Sequence, residues 1–301
     1  MKVGESIHNN VDDTSEYLTS GDPIGHLDLT DLSDQFTNIR KIYTSATNPS
    51  ELHSASRFGK RYILKGITKD FRNDPIQNLA LSKEFEIGLS LDHPNIRRTI
   101  GFEKIDGLGK VIVLEYFDGK TLTEYMKSGS LTPNQARSIV NQIASALSYI
   151  HSKQILYRDL KPSNILISHQ GLYVKIIDFN LSDSDSFLIL KSPGGTYNYI
   201  APELLDDTAS PSVASDIFSF GVIVREIAEA ADDAALKKIA AQCTATDPHK
   251  RPGSIDELNL PGPEHAKTVF FASGILTYAL CSICLILIAL IYYFINSKNL
   301  L

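Results

Sequence analysis

The sequence predicts an α+β chain in two parts, a strand-rich first half and a helical second half. Three observations carry this. Residues 36–117 are dominated by short runs of strand-like alternation. After residue 118 the apolar period lengthens to that of helices. Between two apolar runs of the second half stands a polar knot, LYRDLKPSNIL, residues 156–166, too regular in residue type for an ordinary solvated turn.

The strand-like runs are NIRKIY, ELHSASR, RYILKGI after the turn Phe58-Gly59-Lys60, and GKVIVLEYF. Between the third and fourth lies NLALSKEFEIGLSL, whose Leu79, Phe85 and Leu89 suit a helix ending at LDHPN. In the second half LTPNQARSIVNQIASALSYIHS opens on Thr132-Pro133, a capping residue followed by proline at the first helical position. It continues at near-helical spacing through Ala136, Ile139, Val140, Ile143, Leu147 and Ile150. NILIS and LYVKIID read as strands around His169-Gln170-Gly171, and SDIFSFGVIVREIAEA and DDAALKKIAAQC read as helices.

The composition, 43% hydrophobic over 301 residues, is that of a globular protein. The net charge of −6 is uneven. Residues 1–35 hold Glu5, Asp12, Asp13, Glu16, Asp22, Asp28, Asp31 and Asp34 against Lys2 alone and read as a flexible acidic extension. With the remainder near neutral, nucleic acid is not expected as a partner. Cys243 stands alone in the body, so no disulfide framework is expected and the body reads as reduced and cytosolic. The start lacks the basic and apolar stretches of a signal peptide.

Residues 269–295 carry no charge and are mostly Leu, Ile, Val and Phe; about 20 apolar helical residues suffice to cross a bilayer. A transmembrane helix over 268–295 is therefore expected, joined to the body by a linker over 259–267 with Pro261, Gly262 and Pro263. The short tail 296–301 behind it implies post-translational insertion as a tail anchor, with the body facing the cytosol. Cys281 and Cys284 lie inside that span and read as small helix residues, not as a redox or zinc pair.

With a second acid following an apolar run at IIDFN, residues 176–180, the chain resembles the eukaryotic protein-kinase family. YRDLKPSN resembles the catalytic loop. The resemblance implies that Asp159 accepts a hydroxyl proton of the substrate, Lys161 steadies the transferring phosphate, and Asn164 together with Asp178 of DFN binds magnesium. It makes Lys65 of YILK the lysine that grips the phosphates of ATP and Glu84 its ion-pair partner, with Glu86 the rival for that place. LEYFDGKTL resembles the hinge, with Leu114 at its entry and Glu115 to Phe117 along the adenine edge. Thr196 of GGTYNYIAPELL would touch Asp159 and Lys161, Glu203 would pair with Arg251, and Asp216 would brace the catalytic loop. Ser184, Ser186 and Ser192 read as polar loop residues with phosphorylation as the alternative.

The resemblance covers about residues 38–258 and implies a two-lobed kinase-like fold, N-lobe 36–117 and C-lobe 118–258, shortened after the Asp216 helix. The lysine after the catalytic Asp is similar to the serine/threonine branch, so the expected activity is transfer of the γ-phosphate of ATP, with Mg2+, to a protein substrate. Four departures stand against it. The phosphate loop should fall at residues 42–50, which contain no glycine, leaving the amides near Ser45 and Ala46 to approach phosphate. Asn180 stands where the family has glycine; asparagine enters the left-handed region readily. Tyr157 replaces the histidine usual before Arg158. The stretch from Asp216 to Arg251 is too short for the usual docking helix. A membrane-tethered pseudokinase adaptor is accordingly the rival expectation.

Overall fold

In the computed structural model the chain divides into two compact units. The structure describes residues 35–46, 48–129, 131–180, 197–205 and 210–263. The first unit holds the described residues up to Asp118 together with the segment beginning at Asp178; the second holds Gly119–Ile177 and the described residues from Tyr197 onward. The expected acidic extension, apart from its last residue, and the expected membrane span and tail lie outside the described residues, as do Thr196, Ser184, Ser186 and Ser192. No helix among the described residues is long and apolar enough to cross a membrane.

The first unit is an antiparallel sheet with one helix. Its strands are β1 (Thr37–Thr44), β2 (Ser50–Arg57), β3 (Lys60–Ile67), β4 (Thr99–Ile105) and β5 (Gly109–Glu115), ordered β1-β2-β3-β5-β4. α1 (Pro75–Ser90) follows β3. Because side chains alternate along a strand, β3 serves both faces of the sheet. Ile63 and Ile67 join Leu81, Ile112 and Leu114 on one side, while Leu64 packs with Ala55, Val111 and Val113 on the other. Lys65, between Ile63 and Ile67, therefore points to the side of α1. On the helix, Leu81, Glu84 and Gly88 recur at three and four residues and form the buried face.

Three readings of this half needed correction. The helix begins at Pro75, three residues before the expected run, because Asp74 caps it by accepting from the Ile76 N–H at 2.8 Å and proline occupies the first turn. The fourth strand, β4, was not expected: its sequence TIGFEKI lacks clean alternation and is buried only in part, so its place is set by pairing with β5. The last strand-like run ends at Glu115, so Tyr116 and Phe117 lie beyond β5.

The second unit is mainly helical: α2 (Leu122–Lys127), α3 (Pro133–Ser152), α4 (Val213–Ala231) and α5 (Ala234–Cys243), with a small sheet β6-β7-β8 of Gly119–Thr121, Ile165–Ser168 and Val174–Ile176. Thr132 and Gln135 form a reciprocal cap at the start of α3, each satisfying the other's backbone N–H. Ile139, Val140, Ile143, Leu147 and Ile150 are fully buried along one stripe. At about 1.5–3 kcal/mol for each such side chain, that stripe outweighs the tenths contributed by helix propensity.

α4 is buried on nearly all sides. Only Asp232 and Asp233 separate it from α5. Asp232 takes a left-handed conformation that ends α4, and Asp233 caps α5 through the Ala235 and Leu236 N–H groups while pairing with Arg137 at 2.6 Å. The two helices close on each other at Gly221, where a Cβ would stand 2.4 Å from Cys243 Cβ. Burial pushes the Cys243 thiol up to about 12, so this cysteine is a packing residue.

Candidate active site

In the first unit the structure brings Lys65, Glu84 and Asp178 together. Lys65 Nζ lies 2.6 Å from Glu84 Oε1 and 2.8 Å from Asp178 Oδ1. Lys65 and Glu84 are buried, at 2% and 6% exposure. A lysine so buried needs partners, since an isolated ammonium in an apolar interior would lose its proton. Burial opposes the charged form of Lys65, but the carboxylates of Asp178 and Glu84 outweigh it and its pKa is raised. Burial pushes the Glu84 carboxyl up, against the pull of Lys65 and with Asp178 adding to the rise. For Asp178 burial also acts upward, yet Lys65 and the Asn180 N–H overcome it and hold the carboxyl low. Glu86, the rival of Glu84, is exposed on α1.

In the second unit a separate knot is built on Asp159. Lys161 Nζ contacts Asp159 Oδ1 at 2.9 Å and Oδ2 at 2.7 Å. Asn164 Nδ2 donates to the Asp159 carbonyl at 2.9 Å and to Oδ2 at 2.8 Å. Both amide hydrogens of Asn164 are thus used by Asp159, and the side-chain oxygen is its remaining acceptor. The loop is held from beneath by Asp216, 1% exposed, which accepts from the N–H groups of Tyr157 and Arg158 at 2.8 Å each and meets His151 Nε2 at 2.9 Å. Glu203 and Arg251 form the expected pair, two-pronged at 2.6 and 2.7 Å.

Arg158 and Asp178 both have φ of 68°, in the left-handed region. For residues with a Cβ this costs on the order of 1 kcal/mol each. The hydrogen bond from Arg158 N–H to Asp216 is one constraint that maintains the first of these conformations.

The expected adenine-edge and phosphate-loop residues are placed as follows. The Glu115 N–H donates to the Arg98 carbonyl at 3.0 Å, and its carboxylate accepts from the Arg98 N–H at 3.2 Å. Phe117 is half-buried just after β5. Between β1 and β2 the Ser45 N–H bonds the Ser50 carbonyl, the Asn48 N–H bonds Ser45 Oγ, and the Ser50 N–H bonds the Asn48 carbonyl. Pro49 has no N–H, so Ala46 carries the N–H without such a bond among the described residues of this turn.

Three features were not read from the sequence: the direct Lys65–Asp178 pair, the burial of Arg97, and the work of the Tyr157 hydroxyl. Tyr157 is fully buried and its hydroxyl donates to the carbonyl of Ile177 at 2.5 Å. Ile177 precedes Asp178 in the chain, and its own N–H donates to the Asn164 carbonyl at 2.9 Å. A polar tip on the aromatic residue replacing histidine was the available signal, since a buried phenol normally finds a partner.

Residues 52–232 match the family described as protein kinase domain. The chain belongs to that family. Among relatives, this kinase-domain chain is 34% identical over 195 residues to serine/threonine-protein kinase PrkC of Bacillus subtilis, covering 61% of the chain and 30% of PrkC. It is 36% identical over 175 residues to mitogen-activated protein kinase kinase 7 of Arabidopsis thaliana, covering 56% of the chain and 55% of that protein. The chain thus spans about a third to about half of these two curated relatives. Among solved structures, the kinase domain of Mycobacterium tuberculosis PknI superposes with a TM-score of 0.55 at 22% identity, covering 74% of this chain and 94% of that one. That likeness supports the fold alone.

Proposed function

We propose that the protein is an ATP- and Mg2+-dependent serine/threonine protein kinase, tethered to a membrane by residues 268–295 with its catalytic units facing the cytosol. The observation that carries the reading is the pair of preorganised clusters. One is a buried lysine shared by two carboxylates, and the other a carboxylate oriented by a lysine and an asparagine. The proposal requires both to act on one nucleotide.

Phosphoryl transfer asks a protein mainly for positioning and charge compensation. Lys65, held by Glu84, binds the phosphates of ATP. Asp159 accepts the proton of the attacking hydroxyl, and Lys161 holds the transferring phosphoryl group. Asp178 and the Asn164 oxygen would hold magnesium, and two such oxygen donors fit an ion that takes few protein ligands. Bound magnesium supplies neutralisation of charge on the phosphate oxygens. Glu115 and Phe117 border the adenine, and the amide at Ala46, beside Ser45, approaches the phosphates. The lysine two residues after Asp159 and the serine/threonine kinases among the relatives support hydroxyl side chains of proteins as acceptors.

One observation favours the rival, a membrane-tethered pseudokinase adaptor: three of the phosphate-loop amides already bond within the loop. The test is transfer of labelled γ-phosphate from Mg·ATP by the purified full chain, to itself and to a mixed protein substrate, beside Asp159→Ala. Transfer to serine and threonine that the variant lacks supports the kinase. Stabilisation by ATP without transfer supports the adaptor. For the anchor, alkaline carbonate should leave the full chain in the membrane pellet and release a chain ending at Lys267; release of both contradicts it.

A further inference from the structure

Arg97 lies in the extended run that enters β4 and is 7% exposed, while its neighbour Arg98 is exposed. A buried arginine at the edge of a hydrophobic sheet is costly unless its charge is answered. A small cavity within the first unit has Arg97, Thr99, Glu84, Asp178 and Phe179 in its wall. The packing explains why these residues meet. Gly88 presses on Thr99 so closely that a Cβ there would stand 2.2 Å from Thr99 Oγ1. Glu84 shares the helix face of Gly88, four residues earlier, and Arg97, two residues before Thr99, lies in the same cavity wall. The contact that fixes one pair sets the other pair against the same cavity.

The charge count is the second observation. Lys65 serves two carboxylates, Glu84 and Asp178, and bonds Glu84 through Oε1 only. Glu84 Oε2 is buried and has no hydrogen-bond partner among the described residues. Among the described residues, one cation against two buried anions leaves a net negative charge in low dielectric, and Arg97 is a second cation in the same cavity wall. Its charge favours the ionised form of both Glu84 and Asp178, less than Lys65 does.

We infer that Arg97 is a positioning residue, a second buried cation that keeps Glu84 charged and in place when Lys65 and Asp178 turn to nucleotide and metal. The nucleotide half of this statement rests on the kinase reading; the placing of Arg97 and Glu84 in one cavity wall does not. In the resting chain Lys65 is shared. Once phosphates draw on Lys65, Glu84 loses part of its compensation, and Arg97 is the cation that remains beside it.

The experiment uses the full chain in four forms: parent, Arg97→Met, Glu84→Gln and the double variant, with Arg97→Lys as the conservative control. Each is melted without nucleotide and assayed for KM and kcat toward Mg·ATP. If Arg97 answers the charge of Glu84, Arg97→Met lowers the midpoint more in the parent than in the Glu84→Gln background, by about 3 °C or more. Arg97→Met also raises KM for Mg·ATP about tenfold with a smaller effect on kcat, and Arg97→Lys recovers most of that loss. Equal midpoint losses in the two backgrounds would overturn the inference, as would a KM unchanged by Arg97→Met. Should Arg97→Met fail to fold in both backgrounds, Arg97→Lys decides: a KM near the parent's supports the role of charge, and a KM raised about tenfold refutes it. A parent without phosphotransfer counts against the kinase reading and leaves the melting comparison to judge the pairing.

Discussion

Replacing Gly88 by alanine sets two effects of opposite sign against each other. In a helix interior glycine is less favourable than alanine by about 1 kcal/mol, so propensity alone predicts a more stable chain. The packing predicts the reverse. The new Cβ would lie 2.2 Å from Thr99 Oγ1 and 3.2 Å from Thr99 Cβ. Relief requires either rotation of Thr99, whose two heavy atoms on Cβ leave few rotamers, or a shift of α1 away from β4. Overpacking of this kind costs about 1–3 kcal/mol, so the net change is a loss of roughly 0–2 kcal/mol. That corresponds to a melting point lower by up to about 8 °C, taking about 2–4 °C per kcal/mol. Thermal and urea unfolding of Gly88→Ala, Thr99→Ala and the double variant measure it, with the double variant losing less than the sum of the two. A Gly88→Ala chain more stable than its parent would refute the close approach of α1 to β4, and with it the argument that this approach positions Glu84.

The remaining predictions concern the loop at Tyr157 and acid stability. Tyr157→Phe removes the hydrogen bond to the Ile177 carbonyl and should destabilise by about 1–3 kcal/mol, the range for leaving one partner of an internal bond unsatisfied. Urea unfolding checks this, and because the bond lies next to Asp178 in the chain, phosphotransfer should fall more than stability alone explains. His53 is buried beside Glu51, and burial, with Lys41 and Arg72, lowers its pKa below the ordinary 6.5 despite the opposing Glu51. A folded pKa below the unfolded one means that the stabilising contribution is present above 6.5 and is lost as pH falls through the folded value. Melting points should therefore drop as pH falls below the ordinary 6.5, and His53→Gln should flatten that limb. Glu203 and Asp233 are held low mainly by Arg251 and Arg137 against burial, so their contributions persist above the ordinary carboxylate values and fade in more acid solution.

Much of the architecture was legible because the strong signals are local. Period-two alternation at RYILKGI and the capped, periodic run from Thr132 locate β3 and α3 without reference to anything distant. The Lys65–Glu84 pair was legible through its order in the chain, and Glu203–Arg251 through its motifs. What escaped was non-local. β4 has little pattern of its own and is defined by hydrogen bonds to β5. The Lys65–Asp178 pair joins residues whose separation carries no periodic signal. Nothing in the sequence singles out Arg97 from its exposed neighbour Arg98, and its burial shows only in the fold. The expected phosphate loop showed the lack of glycine but not the hydrogen bonds among Ser45, Asn48 and Ser50.

The proposed function requires Lys65, Asp178 and Asn164 to serve one metal-bound nucleotide. It is tested most directly by titrating Mg·ATP, and ATP with magnesium chelated, into the full chain and into Lys65→Met, Asp178→Asn and Asn164→Ala. The account predicts metal-dependent binding by the parent and a loss of about tenfold or more in each variant, with the Asp178 and Asn164 variants losing most of the dependence on magnesium. Parent-like affinity in Asn164→Ala alongside a loss in Lys65→Met would contradict it, because the two clusters would then not share a nucleotide.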